Sequence, residues 1–366
     1  MPMAITDRRQ TLRGDPGLLF CPHCPDVNTS PKKKSTIYDL AELAEVSPST
    51  VSAILNGSWQ QRRIGADTAL RVQKLADKHR YNVNRQASGL RKSRSGLIGM
   101  IIPTHEDRFF AGMSQVFDRL ARARKSQPIV ASTLRDPALE VETVKKLISY
   151  QIDHLIVTGA TDPDAVSRVC RHHKVMHVNV DLPGRRAPSV ISDNHWGAVQ
   201  LTSTLIERST PQGSPGRNRL YFIGGVAGEY ATERRVQGFS DTVTRRLGPV
   251  RAAQIRNCGY DAAATEAAVA QLHGELGGLP RAIFFVSSVP LEGAVRFLKT
   301  LPIEALRRCA FGSYDWDPFA SYLRFPIHMM CQDVEGLLAE AFKIIDGGDT
   351  RRGRVVEVRP RLILGD

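Results

Sequence analysis

Residues 36–56, TIYDLAELAEVSPSTVSAILN, read as two short helices joined by a tight turn. Thr36 caps the first, with Asp39 three residues on in the manner of a capping box, and Ile37, Leu40, Ala41 and Ala44 fall on one apolar face. Ser47 is placed to cap the second and Pro48 suits its first position, so Val51, Ile54 and Leu55 are expected to face inward. Ser49, Thr50, Ser52 and Ala53 are then expected to point outward. This is the layout of a DNA-binding helix-turn-helix, whose second helix enters the major groove with that outward face.

The charge around this stretch agrees with it. Of the net charge of +13, residues 31–96 carry +8, from 13 Lys/Arg against 5 Asp/Glu, and the remaining +5 is spread over roughly 270 residues. A basic segment so placed fits phosphate contacts and a salt-dependent affinity for double-stranded DNA. At 366 residues and 42% apolar, the chain has room for one small DNA module and a larger domain with its own core. It holds no apolar run of membrane-spanning length, and its first residues lack the apolar core of a signal peptide, so a cytoplasmic location with no membrane partner is expected. Six cysteines, at 21, 24, 170, 258, 309 and 331, suit reduced thiols rather than a disulfide framework.

Residues 1–34 read as a tail. The pair Cys21 and Cys24 has zinc-hairpin spacing, but a closed structural site needs four ligands and no second pair lies near, so neither metal nor cofactor is expected. Ala69, Val72, Leu75, Ala76 and His79 indicate a third helix over 65–80, completing a head of residues 35–81. Residues 82–96 are too polar for core and hold one isolated leucine, Leu90, among Arg85, Arg91, Lys92 and Arg94; they read as a linker that orders on DNA. From 97 onward the pattern changes to α/β. LIGMII (97–102), PIVAST (128–133), HLIVTG (154–159), VMHVNV (175–180), RLYFIGG (219–225) and AIFFVSS (282–288) are short apolar runs spaced by helical segments. Residues 97–366 are therefore expected to form two lobes of parallel sheet with a cleft between them, ligands binding at the carboxyl ends of the strands.

With these parts in this order, the chain resembles the lactose-repressor (LacI/GalR) family of bacterial transcription regulators from 35 to about 362, most specifically in TIYDLAELA, VSPSTVSAILNG and NRQASGLR. The long connection NGSWQQRRIGADT (56–68) resembles the fructose-repressor subgroup. The resemblance implies an all-α head and a two-lobed, periplasmic-binding-protein-like effector domain. It makes 48–55 the recognition helix and assigns DNA contacts to Thr36, Tyr38, Ser47, Pro48, Ser49, Thr50, Ser52, Ala53 and Asn56, with Asn84, Arg85, Ala87, Leu90 and Arg91 in the hinge. Ala53 stands where members commonly carry Arg and offers only contact with a thymine methyl. Glu45 and Arg80 stand where members carry Gly, so both are expected in left-handed conformations at about 1 kcal/mol each. Val83 replaces a familiar Pro. Leu90 aligns with the hinge leucine that family dimers wedge into the minor groove, which calls for a homodimer on a pseudo-palindromic operator and leaves tetramers open.

For the effector cleft, the resemblance singles out Arg235 in ERRVQGF and Asp315 in FGSYDWDP as ligand-gripping residues. Ser287 and Ser288 stand where many members read Asn-Asp, again as in the fructose-repressor subgroup, and suit a ketose or phosphorylated ligand. Phe109, Phe110, Asp193, Asn194, Trp196 and Tyr260 match pocket-lining stretches, each as well placed for plain core. No catalytic residue is expected: His172 and His173 read as a solvated helix end, GGVAG lacks the phosphate-loop Lys, and no Ser, His and acid set has motif support. The expected function is a regulator, repressing rather than activating, whose operator affinity is set by a small sugar or sugar phosphate. The alternatives are an activator, or a transport-type sugar-binding protein, which would need a signal peptide and would not carry the 36–56 motif.

Overall fold

The computed structural model describes residues 35–81, 94–211 and 213–365. They fall into two compact units, divided in sequence between Asn84 and Arg85.

The first unit is three helices, α1 (Ile37–Leu43), α2 (Pro48–Leu55) and α3 (Ala66–Lys78). Thr36 and Asp39 close a reciprocal capping box on α1, and the Ser47 hydroxyl accepts from the Thr50 N–H at the start of α2. All three helices end the same way. The N–H two residues past each C-cap reaches back to the third-last carbonyl: Val46 to Ala41, Ser58 to Ala53 and Tyr81 to Ala76, at 3.0, 2.9 and 2.8 Å. Such a closure needs a left-handed residue just after the cap. Gly57 supplies it at φ 73°, while Glu45 and Arg80 adopt φ 51° and 49°, as expected of residues in glycine places. Leu40, Val51, Ile54 and Val72 fill the core between the helices, with Trp59 and Ile64 of the long connection packed on it. His79, expected on the inner face of α3, is exposed instead, because the helix ends at Lys78 and His79 is its C-cap.

The second unit has two lobes, each a six-stranded sheet with helices on both faces. In the first lobe the order is β11-β5-β4-β3-β1-β2, all parallel, from β1 (Leu97–Ile102), β2 (Gln127–Ser132), β3 (His154–Thr158), β4 (Met176–Val180), β5 (Ser189–Ser192) and β11 (Val355–Val358). The second lobe runs β12-β10-β9-β8-β6-β7, from β6 (Leu220–Ile223), β7 (Ile255–Arg256), β8 (Ala282–Phe285), β9 (Ala310–Tyr314), β10 (Ile327–Cys331) and β12 (Arg361–Ile363); only the β10/β12 pair is antiparallel. Helices α4 (Arg108–Ala123), α5 (Pro137–Ser149) and α6 (Pro163–His172) cover the first sheet; α7 (Asn194–Arg208), α8 (Tyr230–Leu247), α9 (Ala262–Leu276), α10 (Ser288–Leu298) and α11 (Ile303–Leu306) belong to the second.

The chain passes between lobes three times. After β5 it enters α7, whose Ala198, Leu201 and Leu205 are core of the second lobe. After β10 it returns through α12 (Val334–Asp346), whose Leu337, Leu338 and Phe342 pack with Phe117 in the first. Between β11 and β12 it crosses again at Arg359 and Pro360. These crossings lie side by side, the Asp193 N–H donating to the Val358 carbonyl at 2.9 Å, and they form the hinge of a cleft bounded by the carboxyl ends of both sheets.

Candidate functional site

In the head, the start of α2 presents a compact group of hydroxyls. The Ser47 Oγ lies 2.7 Å from the Ser49 Oγ and 2.9 Å from the Thr50 Oγ1, beside Pro48 in the first turn. Ser52 follows one turn on, its Oγ accepting from the Asn56 side chain at 3.2 Å. Thr36 is exposed at the cap of α1 and the neighbouring Tyr38 ring is 67% exposed. Ala53 does not share this surface. It is 3% exposed, and Ser58 folds back to the end of α2, its N–H and Oγ both donating to the Ala53 carbonyl. The expected thymine-methyl contact from Ala53 is therefore withdrawn. Asn84, Arg85, Ala87, Leu90 and Arg91, like the tail with Cys21 and Cys24, lie outside the described residues.

The cleft is organised around Arg235 on α8. Its guanidinium is 3% exposed, donates from Nε to the Asn194 Oδ1 at 2.8 Å and from Nη1 to the Val286 carbonyl at 2.7 Å, and stacks 3.8 Å over the Tyr314 ring. This binds three elements of the second lobe together and leaves part of a five-donor fork for a ligand. Two glycines permit the arrangement. A Cβ on Gly238, three residues after Arg235, would stand 2.5 Å from the His195 carbonyl oxygen, so glycine there brings α8 against α7 and Arg235 against Asn194. Gly197 does the same for the Tyr314 hydroxyl.

Carboxylates from both lobes face this cation. Asp315 follows β9 in a left-handed conformation, φ 63°, and accepts from the Gln332 amide at 2.6 Å. Asp181 follows β4 at φ 75°, and Asp107 caps α4 after β1. All three are under 9% exposed and, among the described residues, none forms an ion pair. Burial, only partly opposed by Arg235, pushes the Asp181 carboxyl up to about 7 and that of Asp315 up to about 6; burial raises Asp107 as well. Near neutral pH the cleft thus offers both accepting and donating carboxyls. The buried Ser287 Oγ and the Gln332 Oε1 have no hydrogen-bond partner, which supplies two further polar atoms for a ligand.

The lobes also touch across the cleft. Arg135, after β2, lies 4.8 Å over the Tyr260 ring and 3.8 Å from Glu229, while Tyr260 donates to Glu229 at 2.5 Å and lies 3.1 Å from the Thr232 hydroxyl. Arg108 pairs with Asp317 at 2.7 Å. Between α4 and the β9 and β10 ends is a cavity of about 350 Å³, lined by Phe109, Gln115, Asp315, Trp316 and Gln332. The structure thus gathers Arg235, Asn194, Tyr260, Asp315 and Phe109 at the cleft, with Ser287 at the nearby β8 end and Ser288 beginning α10. Phe110 is core of the first lobe. Asp193 and Trp196 sit at the hinge, the Asp193 carboxylate capping the Trp196 N–H at 3.0 Å and the indole lying under Arg359. Asp107, Arg135, Asp181, Glu229 and Gln332 were not singled out from sequence; all stand just past the end of a strand or at a helix cap, and that position was the available signal.

A small α-helical reading head joined in sequence to a two-lobed, cleft-bearing sensor defines a ligand-responsive DNA-binding regulator. The model of bacterial regulatory proteins of the lacI family matches residues 36–84, and that of periplasmic binding proteins and sugar binding domains of the LacI family matches 95–300. The ribitol operon repressor of Klebsiella aerogenes is 49% identical over 198 residues, 53% of this chain and 71% of that one. The sucrose operon repressor of Klebsiella pneumoniae is 29% identical over 267 residues, 73% and 78% of the two chains. Among solved structures, a lac repressor dimer bound to operator and an anti-inducer shares the fold at TM-score 0.74 and 19% identity, covering 91% of this chain and 98% of that one. The Cra regulator of Pseudomonas putida in complex with fructose 1-phosphate does so at 0.64 and 22%, covering 74% and 99%. The chain belongs to the LacI family of bacterial transcription regulators: it is a DNA-binding regulator with a sugar-binding effector domain, in a family of regulators rather than enzymes. No described helix is long and apolar enough to cross a membrane.

Proposed function

We propose that this chain is a cytoplasmic, dimeric repressor that leaves a pseudo-palindromic operator when an uncharged polyol, or a neutral sugar close to one, binds between its lobes. In this reading the head is 35–81, the hinge 82–96 and the effector domain 97–366, with 1–34 a tail. Thr36, Tyr38, Ser47, Pro48, Ser49, Thr50, Ser52 and Asn56 contact DNA, joined by Asn84, Arg85, Ala87 and Arg91 of the hinge and by Leu90 as the minor-groove wedge. Arg235, Asp315, Asp181 and Asp107 bind ligand hydroxyls.

The observation that carries the ligand class is the set of three buried carboxyls without ion-pair partners around Arg235. Vicinal hydroxyls donate to a carboxylate and accept from a guanidinium at once. A phosphate, at about −1.5 to −2 charges, meets like charge there. The identity to the ribitol operon repressor supports an open-chain polyol. The likeness of 56–68 and of Ser287–Ser288 to the fructose-repressor subgroup stands here as a likeness of local sequence. The ligand acts by favouring one pose of the lobes, and the coupling to operator is reciprocal.

Fluorescence anisotropy on an operator duplex, titrated with pentitols, pentoses and their phosphates, tests the reading. Neutral compounds are expected to weaken operator binding by about 5–150-fold and phosphates to leave it unchanged. Response to phosphates alone would refute the ligand class.

A further inference from the structure

At the opposite end of the first lobe from the cleft, loops before three neighbouring strands enclose a second cavity of about 350 Å³. Lys174 and Val175 precede β4, Arg186 to Pro188 precede β5, and Thr350 and Arg352 precede β11; Arg171, in the last turn of α6, completes the wall. The lining therefore holds four cations and no carboxylate. None of Arg171, Lys174, Arg186 and Arg352 forms an ion pair among the described residues, whereas Arg119, Arg122, Arg124, Arg246, Arg256 and Arg296 elsewhere in this unit all do.

The acids nearby are already committed. Asp349 takes both Arg351 and Arg354, leaving Arg352 between them unpaired, and the Asp164 Oδ1 accepts the backbone N–H groups of Arg185 and Arg186. His177 lines the cavity but is 5% exposed with both ring nitrogens engaged, at 2.9 Å to the Ser167 hydroxyl and 3.2 Å to the Val175 carbonyl. It is wall rather than ligand group. Val175, Met176, Ala187 and Pro188 supply an apolar part of the lining. Uncompensated guanidinium groups are suited to phosphate oxygens, and the volume lies within the ~300–1,000 Å³ of small-molecule sites.

We propose that this cavity is a second ligand site, separate from the inducing cleft, which binds a small organic phosphate through Arg171, Lys174, Arg186 and Arg352. The cleft and this cavity then divide the ligand chemistry, neutral hydroxyls at the carboxyl ends of the strands and anions at the amino ends. A concave wall with apolar surface suits a compact metabolite better than the backbone of duplex DNA.

Isothermal titration calorimetry of the full chain with ribose 5-phosphate, and separately with inorganic phosphate, tests this. Saturable binding of ribose 5-phosphate is expected, tighter than that of inorganic phosphate, undisplaced by a saturating neutral polyol, and weakened about a hundredfold in Arg186→Ser/Arg352→Ser, where two charge-assisted hydrogen bonds are lost. Arg351→Ser, whose guanidinium is already paired with Asp349, is expected to bind as the unaltered chain does. Equal binding by the double variant, displacement by polyol, equal or tighter binding of inorganic phosphate, or no saturable binding would each overturn the proposal. So would a loss confined to operator affinity with a shallower salt dependence, which would make this a phosphate-contacting face for DNA.

Discussion

The head and the effector cleft are built by different means. Every cap and closure in the head joins residues within six positions of one another: Thr36 to Asp39, Ser47 to Thr50, Val46 to Ala41. In the cleft, Arg235 meets Asn194 across 41 positions and Val286 across 51, and Asp181 faces it from the other lobe. The head is thus specified locally but holds only a small core, while the cleft rests on a large core yet depends on two lobes and three crossings arriving together.

The sharpest way to test that contrast is to damage one unit and read the other. Leu40 is wholly buried among few neighbours in the head. Leu40→Ala is expected to cost about 2–5 kcal/mol, comparable with the whole stability of so small a core, and to abolish operator binding while polyol binding to the effector unit persists. Calorimetry with polyol alongside operator anisotropy checks it; parallel loss of both activities would show that the units are not separately specified.

This division governs what the sequence reveals. Thr36, Asp39, Ser47 and Pro48 act through local rules, so the helix limits are legible, as are the left-handed Glu45 and Arg80. Apolar runs of four to six residues likewise mark β1, β3, β6 and β8, because strands buried on both faces have little polar alternation to blur them, whereas β4 buries the alternating His177 and Asn179. Ala53 misleads: helical spacing turns it outward, yet it is 3% exposed, on a turn of α2 whose carbonyl Ser58 caps from beyond the helix end. Asp181 and Arg135 are illegible for another reason. Each is a single residue at a strand end, and nothing local distinguishes it from a turn residue until the second lobe is opposite. Asp193 shows the converse, a residue beside the site whose carboxylate is spent on capping α7.

A smaller effect probes the packing behind the cleft. Gly238→Ala places a methyl against the His195 carbonyl, forcing α7 from α8 and Arg235 from Asn194. Overpacking of this kind costs about 1–3 kcal/mol. The variant is expected to melt earlier and to bind polyol at least tenfold more weakly, with the head still gripping its operator. Unchanged polyol affinity would detach Arg235 from ligand binding.

The carboxyls give the cleft a pH signature. Burial holds Asp181 up to about 7 and Asp315 up to about 6, above the ~3.9 of an unfolded chain. The folded state therefore binds more protons than the unfolded one across that window, and stability is lost as pH rises from about 4 through 7. Asp181→Asn stays neutral throughout. Its effector unit is expected to melt near the unaltered Tm at pH 4 and increasingly above it up to pH 8, by roughly 2–4 °C for each kcal/mol recovered. A constant difference between the two melting curves at all pH values would argue against Asp181 as a buried titrating group.

The smallest effect lies in the head's turns. Glu45 and Arg80 occupy φ 51° and 49°, where an L side chain crowds the following carbonyl and glycine does not. Their backbone N–H groups already close the helix ends, bonding Glu42 and Asp77 at 3.1 and 3.0 Å, so substitution removes strain without removing a bond. Glu45→Gly and Arg80→Gly are each expected to stabilise the head by about 1 kcal/mol, less the entropy that glycine adds to the unfolded chain. The change should appear in thermal unfolding followed by Trp59, which packs on the head core, with no shift in the transition of the effector unit. Additive gains from the two sites, which close different helices, would show that each turn is specified alone; a gain from one only when the other is present would mean that the head's ends are coupled through its core.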